Sequence, residues 1–288
     1  MPLNLKNLIE LTVPEYLIIT IFSTLAAALI IGGTLEPLIL ATTILSLSAI
    51  VLGFNAYNQI CDIDLDKINK PQRPLPAKKI TIKEAYMVSI IFYFIGVALA
   101  LYTNYVFFLL ALTYAVVSIL YSNPSIRLRK IPFSSNIFGT LFYAILPFLS
   151  AWAITNFVFP QIFFLFFVLI GFIMSPIKDI EDAKGEKKLG FITLPNILGK
   201  KKTIYFIIGA YLILIIAMLA LSSFNIINNK FLYPSIFSII VLLILAKIFL
   251  NLIKKKETVV TQSKTVTLGM TASILIQLSY GIANLLLK

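Results

Sequence analysis

Histidine is absent from this sequence, and cysteine occurs once, as Cys61. The first absence excludes histidine-ligated zinc, histidine-ligated haem and a histidine general base. The second excludes an internal disulfide and a thiolate metal site; Cys61 reads as a small packing residue. No P-loop pattern is present, which argues against ATP hydrolysis. Negative charge is scarce too: 12 acidic residues stand against 24 basic ones among 288, a net charge of +12. The metal chemistry left to such a chain uses oxygen ligands, of the kind that suit Mg2+.

What the chain has in abundance is apolar length. Hydrophobic residues make up 59% of it and the mean hydropathy is +0.97. Runs close to the ~20 residues that cross a bilayer recur from end to end. The pattern predicts nine transmembrane helices, at about 15–33, 37–58, 84–102, 104–122, 134–154, 160–178, 202–222, 231–250 and 267–287. Asn104 marks the break between the third and fourth. The N-terminus lacks a short apolar core followed by a small-residue cleavage site, so the first run is expected to remain as a helix. No soluble region or low-complexity linker interrupts the pattern, and a single membrane domain over 1–288 is expected. Pro147 and Pro176, inside or near the ends of apolar runs, can kink their helices. Such kinks are tolerated where neighbours or a cavity satisfy the backbone; they fit a central cavity, and they fit a structural kink equally well.

The placement of the cations argues against nucleic acid as a partner. They gather at the N-terminus and around the loops after the second, fourth, sixth and eighth helices, leaving Lys230 and Lys288 on the other side. That alternation is the positive-inside pattern of a multi-pass protein of the cell membrane. It predicts a cytoplasmic N-terminus, an odd number of helices and an external C-terminus. The last basic cluster, which includes Lys254, Lys255, Lys256 and Lys264, is read as fixing topology and touching anionic headgroups.

Seven of the 12 acids lie in two short stretches. The first is Asn58-Gln-Ile-Cys-Asp62-Ile-Asp64-Leu-Asp66. The second is Lys178-Asp179-Ile-Glu181-Asp182-Ala-Lys-Gly185-Glu186. Each follows an apolar run and leads into a Lys-rich loop. Asn58, Asp62 and Asp66 are four apart, so a helix stacks them on one face, joined by Asn55, while Asp64 points elsewhere. Lys178, Asp182 and Glu186 share the same spacing, with Asp179 beside them and Glu181 off the face. Stacked carboxylates repel, and a bound divalent cation removes that penalty. Mg2+ takes one or two carboxylates, water and phosphate oxygens. Isolated acids at a cytoplasmic helix end would be ordinary solvated residues; two four-residue arrays at even-numbered helix ends are not. A pyrophosphate held by metal and cations is a good leaving group. If it leaves an allylic carbon, the resulting cation needs a dry, aromatic-lined pocket.

These two motifs resemble those of the UbiA superfamily of intramembrane prenyltransferases, and the likeness runs along the whole chain. Asn58, Asp62 and Asp66 match the family's first motif, which continues through Asn69-Lys70-Pro71-Gln72-Arg73-Pro74-Leu75-Pro76. Lys178, Asp179 and Asp182 match the second, with Glu186 where many members have Asp; Gly190, Thr193, Leu194 and Pro195 extend it. The resemblance implies an all-α polytopic fold, nine transmembrane helices around a central cavity opening to the cytoplasmic side. It implies Mg2+ held by Asp62, Asp66, Asp182 and Glu186, with Asn58 and Asp179 supporting metal or diphosphate. Arg73 and Lys178 would bind diphosphate. Asn55, Tyr121 and Lys130 are further substrate-binding candidates.

Within the superfamily, the Lys-Asp-Ile-Glu-Asp stretch and the compact length resemble archaeal enzymes of ether-lipid synthesis. That implies geranylgeranyl diphosphate as donor and geranylgeranylglyceryl phosphate as membrane-borne acceptor, whose phosphate Arg127, Arg129 or Lys130 could meet. Prenylation of an aromatic acceptor such as 4-hydroxybenzoate and haem O synthesis are the rival readings. Outside the enzymes, intramembrane acids also mark ion paths in transporters, but here they sit at one membrane face and inverted repeats are not evident.

Overall fold

Inside a bilayer the backbone has no water to bond, so long apolar segments close their hydrogen bonds internally as helices. The computed structural model describes residues 4–32, 36–126, 128, 131–155, 158–254 and 259–287, and among them every regular element is helical. In chain order these are α1 (Leu5–Thr12), α2 (Glu15–Ile31), α3 (Pro37–Cys61), α4 (Ile63–Asn69), α5 (Ile82–Thr103), α6 (Tyr105–Ser122) and α7 (Ser134–Thr140). A π-helical turn at Leu141–Ile145 leads into α8 (Leu146–Ala153). Then come α9 (Gln161–Met174), α10 (Pro176–Lys188), α11 (Leu194–Leu198), α12 (Lys200–Ser223), α13 (Leu232–Lys254) and α14 (Val259–Leu286).

Eight stretches among the described residues are long and apolar enough to cross a membrane. The first expected span, 15–33, falls on α2, which passes the same test only together with α1; the two are bent by 56° around Val13, whose φ of 45° is left-handed, and counting the pair as one span brings the eight to nine. Both prolines leave a mark. Pro147 cannot donate to the preceding turn, and the ladder widens into the π turn just before it. Pro176 opens α10 after a one-residue break at Ser175. Asn104 divides α5 from α6 as an N-cap, its side chain accepting from the Phe107 N–H at 2.8 Å.

The chain sorts into two compact units. One comprises Met1–Ile21, Leu35–Ser134 and Lys184–Ile192. Its axis is the pairing of α3 with α5, where small residues let the backbones approach. A Cβ on Gly96 would lie 2.8 Å from the Ser46 carbonyl oxygen, so only glycine fits there. The contact is sealed in both directions: Ser46 Oγ donates to the Gly96 carbonyl at 2.7 Å, and Ser89 Oγ to the Gly53 carbonyl at 2.9 Å. Tyr93 and Ser118 share a 2.7 Å bond that adds α6.

The second unit comprises Phe22–Thr34, Ser135–Ala183 and Thr193–Lys288. Aromatic rings fill it. Phe148 meets Phe159, Phe164 and Phe167, while Tyr280 packs against Phe163, Phe166 and Phe231. Two buried tyrosine hydroxyls find partners: Tyr211 with Ser273 and Tyr280 with Ser235, both at 2.8 Å. In both units large apolar side chains such as Phe94, Ile213 and Leu243 face outward, as a lipid-facing surface requires.

Candidate active site

The first acidic cluster sits where α3 gives way to α4. Asp62 has φ −102° and ψ 16°, outside the helical well, so the single helix expected here is locally broken. The four-residue ladder survives the break. Backbone bonds run from Asp62 to Asn58, Asp66 to Asp62 and Lys70 to Asp66 at 2.9, 2.8 and 2.8 Å. Asn58, Asp62 and Asp66 therefore keep their vertical order. Asn58 Nδ2 donates to Ser122 Oγ at the end of α6, at 3.1 Å.

Burial separates the acids of this cluster. Asp62 and Asp66 are 6% and 2% exposed. The Asp64 side chain is 80% exposed and pairs with Lys67 at 2.9 Å in solvent. The loop that follows α4 is folded by its own backbone bonds, Arg73 N–H to the Lys70 carbonyl and Lys79 N–H to the Pro74 carbonyl among them. Leu75 and Ile80 anchor it in an apolar cluster with Leu11, Ala56, Ala85 and Val88. This fold returns Arg73 to Asp66, with Nη1 donating to both carboxylate oxygens at 2.8 and 3.0 Å. Burial pushes the Asp66 carboxyl above the usual range and the Asp62 charge adds to that; Arg73 and Lys70 pull against it.

The second cluster occupies one face of α10. Asp179, Asp182 and Glu186 are 3%, 5% and 0% exposed, and Lys178 is half-buried. Ser135 Oγ donates to Asp179 Oδ2 at 2.6 Å. The end of α10 meets the end of α4: Asn69 Oδ1 accepts from the Gly185 backbone N–H at 3.0 Å. A Cβ on Gly185 would stand 2.6 Å from the Asn69 amide, so the approach needs a glycine. Gly185 of the second motif, next in sequence to Glu186, thus lies against Asn69, which follows the first.

The remaining candidates divide. Tyr121 is buried at the end of α6, its ring 6.4 Å from that of Phe54. Asn55 has a task the spacing did not reveal: its Nδ2 donates to the carbonyls of Thr12 and Val13 at 2.9 and 3.3 Å. Gln59, one turn on, donates to Glu10 and Leu11 at 2.9 and 2.8 Å. Two α3 amides thereby meet the last three carbonyls of α1 and that of its C-cap, Val13. Lys130, with Arg127 and Arg129, lies outside the described residues, as does the side chain of Glu181. Sequence reading assigned no role to Asn69, Ser135 or Gln59. The Asn69 contact joins positions 116 residues apart, and no local pattern announces it.

The five buried carboxylates among the described residues of this histidine-free chain fit a hard, oxygen-seeking divalent ion. Among the described residues no group of three converges on one point. Each ion would therefore take one or two carboxylates and complete its shell with water and phosphate oxygens, as Mg2+ does.

Residues 17–274 match the UbiA prenyltransferase family. The chain belongs to that family. Among UbiA relatives, the digeranylgeranylglyceryl phosphate synthase of Methanococcus aeolicus is 33% identical, the alignment covering 99% of this chain and 100% of that one. The Pyrococcus horikoshii protein of the same name is 34% identical over 52% of this chain and 53% of its own. A solved digeranylgeranylglyceryl phosphate synthase superposes with a TM-score of 0.66 at 26% identity, covering 97% of this chain and 98% of that one. A UbiA homologue from Archaeoglobus fulgidus, solved bound to DMAPP and Mg2+, shares the fold with a TM-score of 0.75 at 19% identity over 96% of this chain and 98% of its own.

Proposed function

We propose that this protein is a digeranylgeranylglyceryl phosphate synthase. It moves a geranylgeranyl group from its diphosphate to the free hydroxyl of geranylgeranylglyceryl phosphate, forming an ether lipid and releasing diphosphate. The observation that carries the reaction class is the buried carboxylate set, with Gly185 of the second motif, next in sequence to Glu186, held against Asn69, which follows the first. The full-length likeness to the Methanococcus aeolicus enzyme supports the acceptor.

The residues divide the work by charge. Asp62, Asp66, Asp182 and Glu186 are the ligand set for Mg2+, with Asn58 and Asp179 beside them. Bound there, Mg2+ would offset the charge of the departing diphosphate. Arg73 covers Asp66 in this structure; with substrate present it turns to the diphosphate, as does Lys178. Tyr121, beside Phe54, offers a ring face to the allylic cation. The C1–O bond to diphosphate breaks with its electron pair staying on the diphosphate. A lone pair of the acceptor oxygen then forms the new C1–O bond, and the hydroxyl proton passes to the released diphosphate. No strong base is needed, in keeping with a chain that has no histidine.

We read residues 1–288 as one catalytic domain, supported by a family match that runs through both units. The basic loops support a cytoplasmic N-terminus, an external C-terminus and a cavity opening to the cytoplasm. The test is to incubate purified protein with geranylgeranyl diphosphate, Mg2+ and a panel of acceptors, and to identify products by mass. The doubly alkylated glyceryl phosphate lipid is the expected product. Product with 4-hydroxybenzoate or haem and none with the lipid would overturn the acceptor and leave prenyl transfer standing.

A further inference from the structure

Asn136 lies in α7, next to the Ser135 that bonds Asp179. Its side chain is 1% exposed, and neither Oδ1 nor Nδ2 has a hydrogen-bond partner among the described residues. A carboxamide can donate twice and accept twice. Leaving all of that capacity unused in a buried place is costly, and native proteins seldom do it without a reason. Local structure does not supply the reason. Asparagine is a poor helix former, and the bond that Thr140 Oγ1 makes to the Asn136 backbone carbonyl, at 2.6 Å, would form with any residue there. An apolar side chain of the same shape would suit the fold better. The helix loosens into its π turn five residues later, an irregularity frequent at functional sites.

We propose that Asn136 binds the hydroxyl of the prenyl acceptor. The assignment rests on the prenyl-transfer reading above. A hydroxyl gives one hydrogen and accepts another, so a single carboxamide can meet both needs, Oδ1 taking the O–H and Nδ2 donating to a lone pair. A diphosphate oxygen accepts only and would leave Oδ1 bare; a metal ion would leave Nδ2 bare. Asn136 holds the hydroxyl by neutral hydrogen bonds and takes no proton.

The test uses the full chain in lipid nanodiscs with Mg2+, geranylgeranyl diphosphate and geranylgeranylglyceryl phosphate. Asn136→Leu keeps the shape and removes the polarity. Its acceptor KM should rise about tenfold, the worth of one to two neutral hydrogen bonds, against at most a twofold change in donor KM. Its thermal midpoint should equal or exceed that of the parent, because an orphan amide has been removed. Asn136→Ser, which keeps one donor and acceptor, should fall between, and it serves alone if the leucine variant does not fold. An unchanged acceptor KM, or donor and acceptor KM rising together, would sink the assignment. So would a lower midpoint with unchanged KM, the signature of an amide satisfied by structural water. If the parent prenylates another hydroxyl acceptor instead, the acceptor reading fails and the same comparison on that acceptor decides Asn136. A parent that prenylates nothing overturns both.

Discussion

Within five residues of one helix end, Asp62, Asp64 and Asp66 share a charge and a side-chain length, yet only Asp64 is solvated. Its bond to Lys67 is a surface pair of the kind that contributes little. Asp62 and Asp66 are held out of water, where a carboxylate is costly unless something positive meets it. The four-residue spacing foretold this division, because a two-residue offset on a helix turns a side chain away. Asp62→Ala and Asp182→Ala should each lower turnover by at least a hundredfold, since each removes a carboxylate of the proposed ligand set. Asp64→Ala should stay within twofold of the parent. Steady-state assays across a Mg2+ series check both. Near-normal turnover by Asp62→Ala at low Mg2+ would remove it from the ligand set, and an inactive Asp64→Ala would defeat the helical-face argument.

Helix ends, rather than helix faces, hold the elements that carry the site. The carbonyls ending α1 are met by Asn55 and Gln59, and those of Leu29 and Ile30 near the end of α2 by Asn284 at 3.0 Å. The end of α4 is met by Gly185. The helices themselves were legible in the sequence because apolar length has only one solution in lipid. The joints were not: an asparagine three residues from a motif looks like a motif residue until the carbonyl it reaches is seen, as Asn55 illustrates. Gly185→Ala is the sharpest probe of a joint. The added methyl collides with the Asn69 amide, which must swing aside and release the Gly185 N–H. We expect tenfold or greater loss of activity with a midpoint change worth about 1–2 kcal/mol. Adding Asn69→Ala relieves the collision without restoring the bond, so the double variant should be no worse than Gly185→Ala alone. Strictly additive losses would mean that the two residues do not act through one contact.

For the molecule as a whole, orientation is the property that charge decides. Placing a Lys or Arg at the centre of a membrane-spanning helix costs about 2.5–3.5 kcal/mol, and loops rich in them stay on the cytoplasmic side. By the positive-inside pattern we expect this chain to insert with its cation-rich loops toward the cytoplasm. The same loops contain Arg73 and follow Asp66 and Glu186, so the orientation also sets which compartment supplies Mg2+ and the diphosphate substrate. Cys61, the single cysteine, makes this testable in a Cys61→Ser background. Lys187 is exposed at the end of α10, and Asn229 is exposed in the turn between α12 and α13. In sealed cells a membrane-impermeant maleimide should label Asn229→Cys, and it should reach Lys187→Cys only after permeabilisation. The opposite pattern would invert the protein and place its acidic clusters outside the cell. Labelling of both positions in sealed cells would mean that the helices between them do not cross an odd number of times, and would overturn the nine-span count on which the external C-terminus rests.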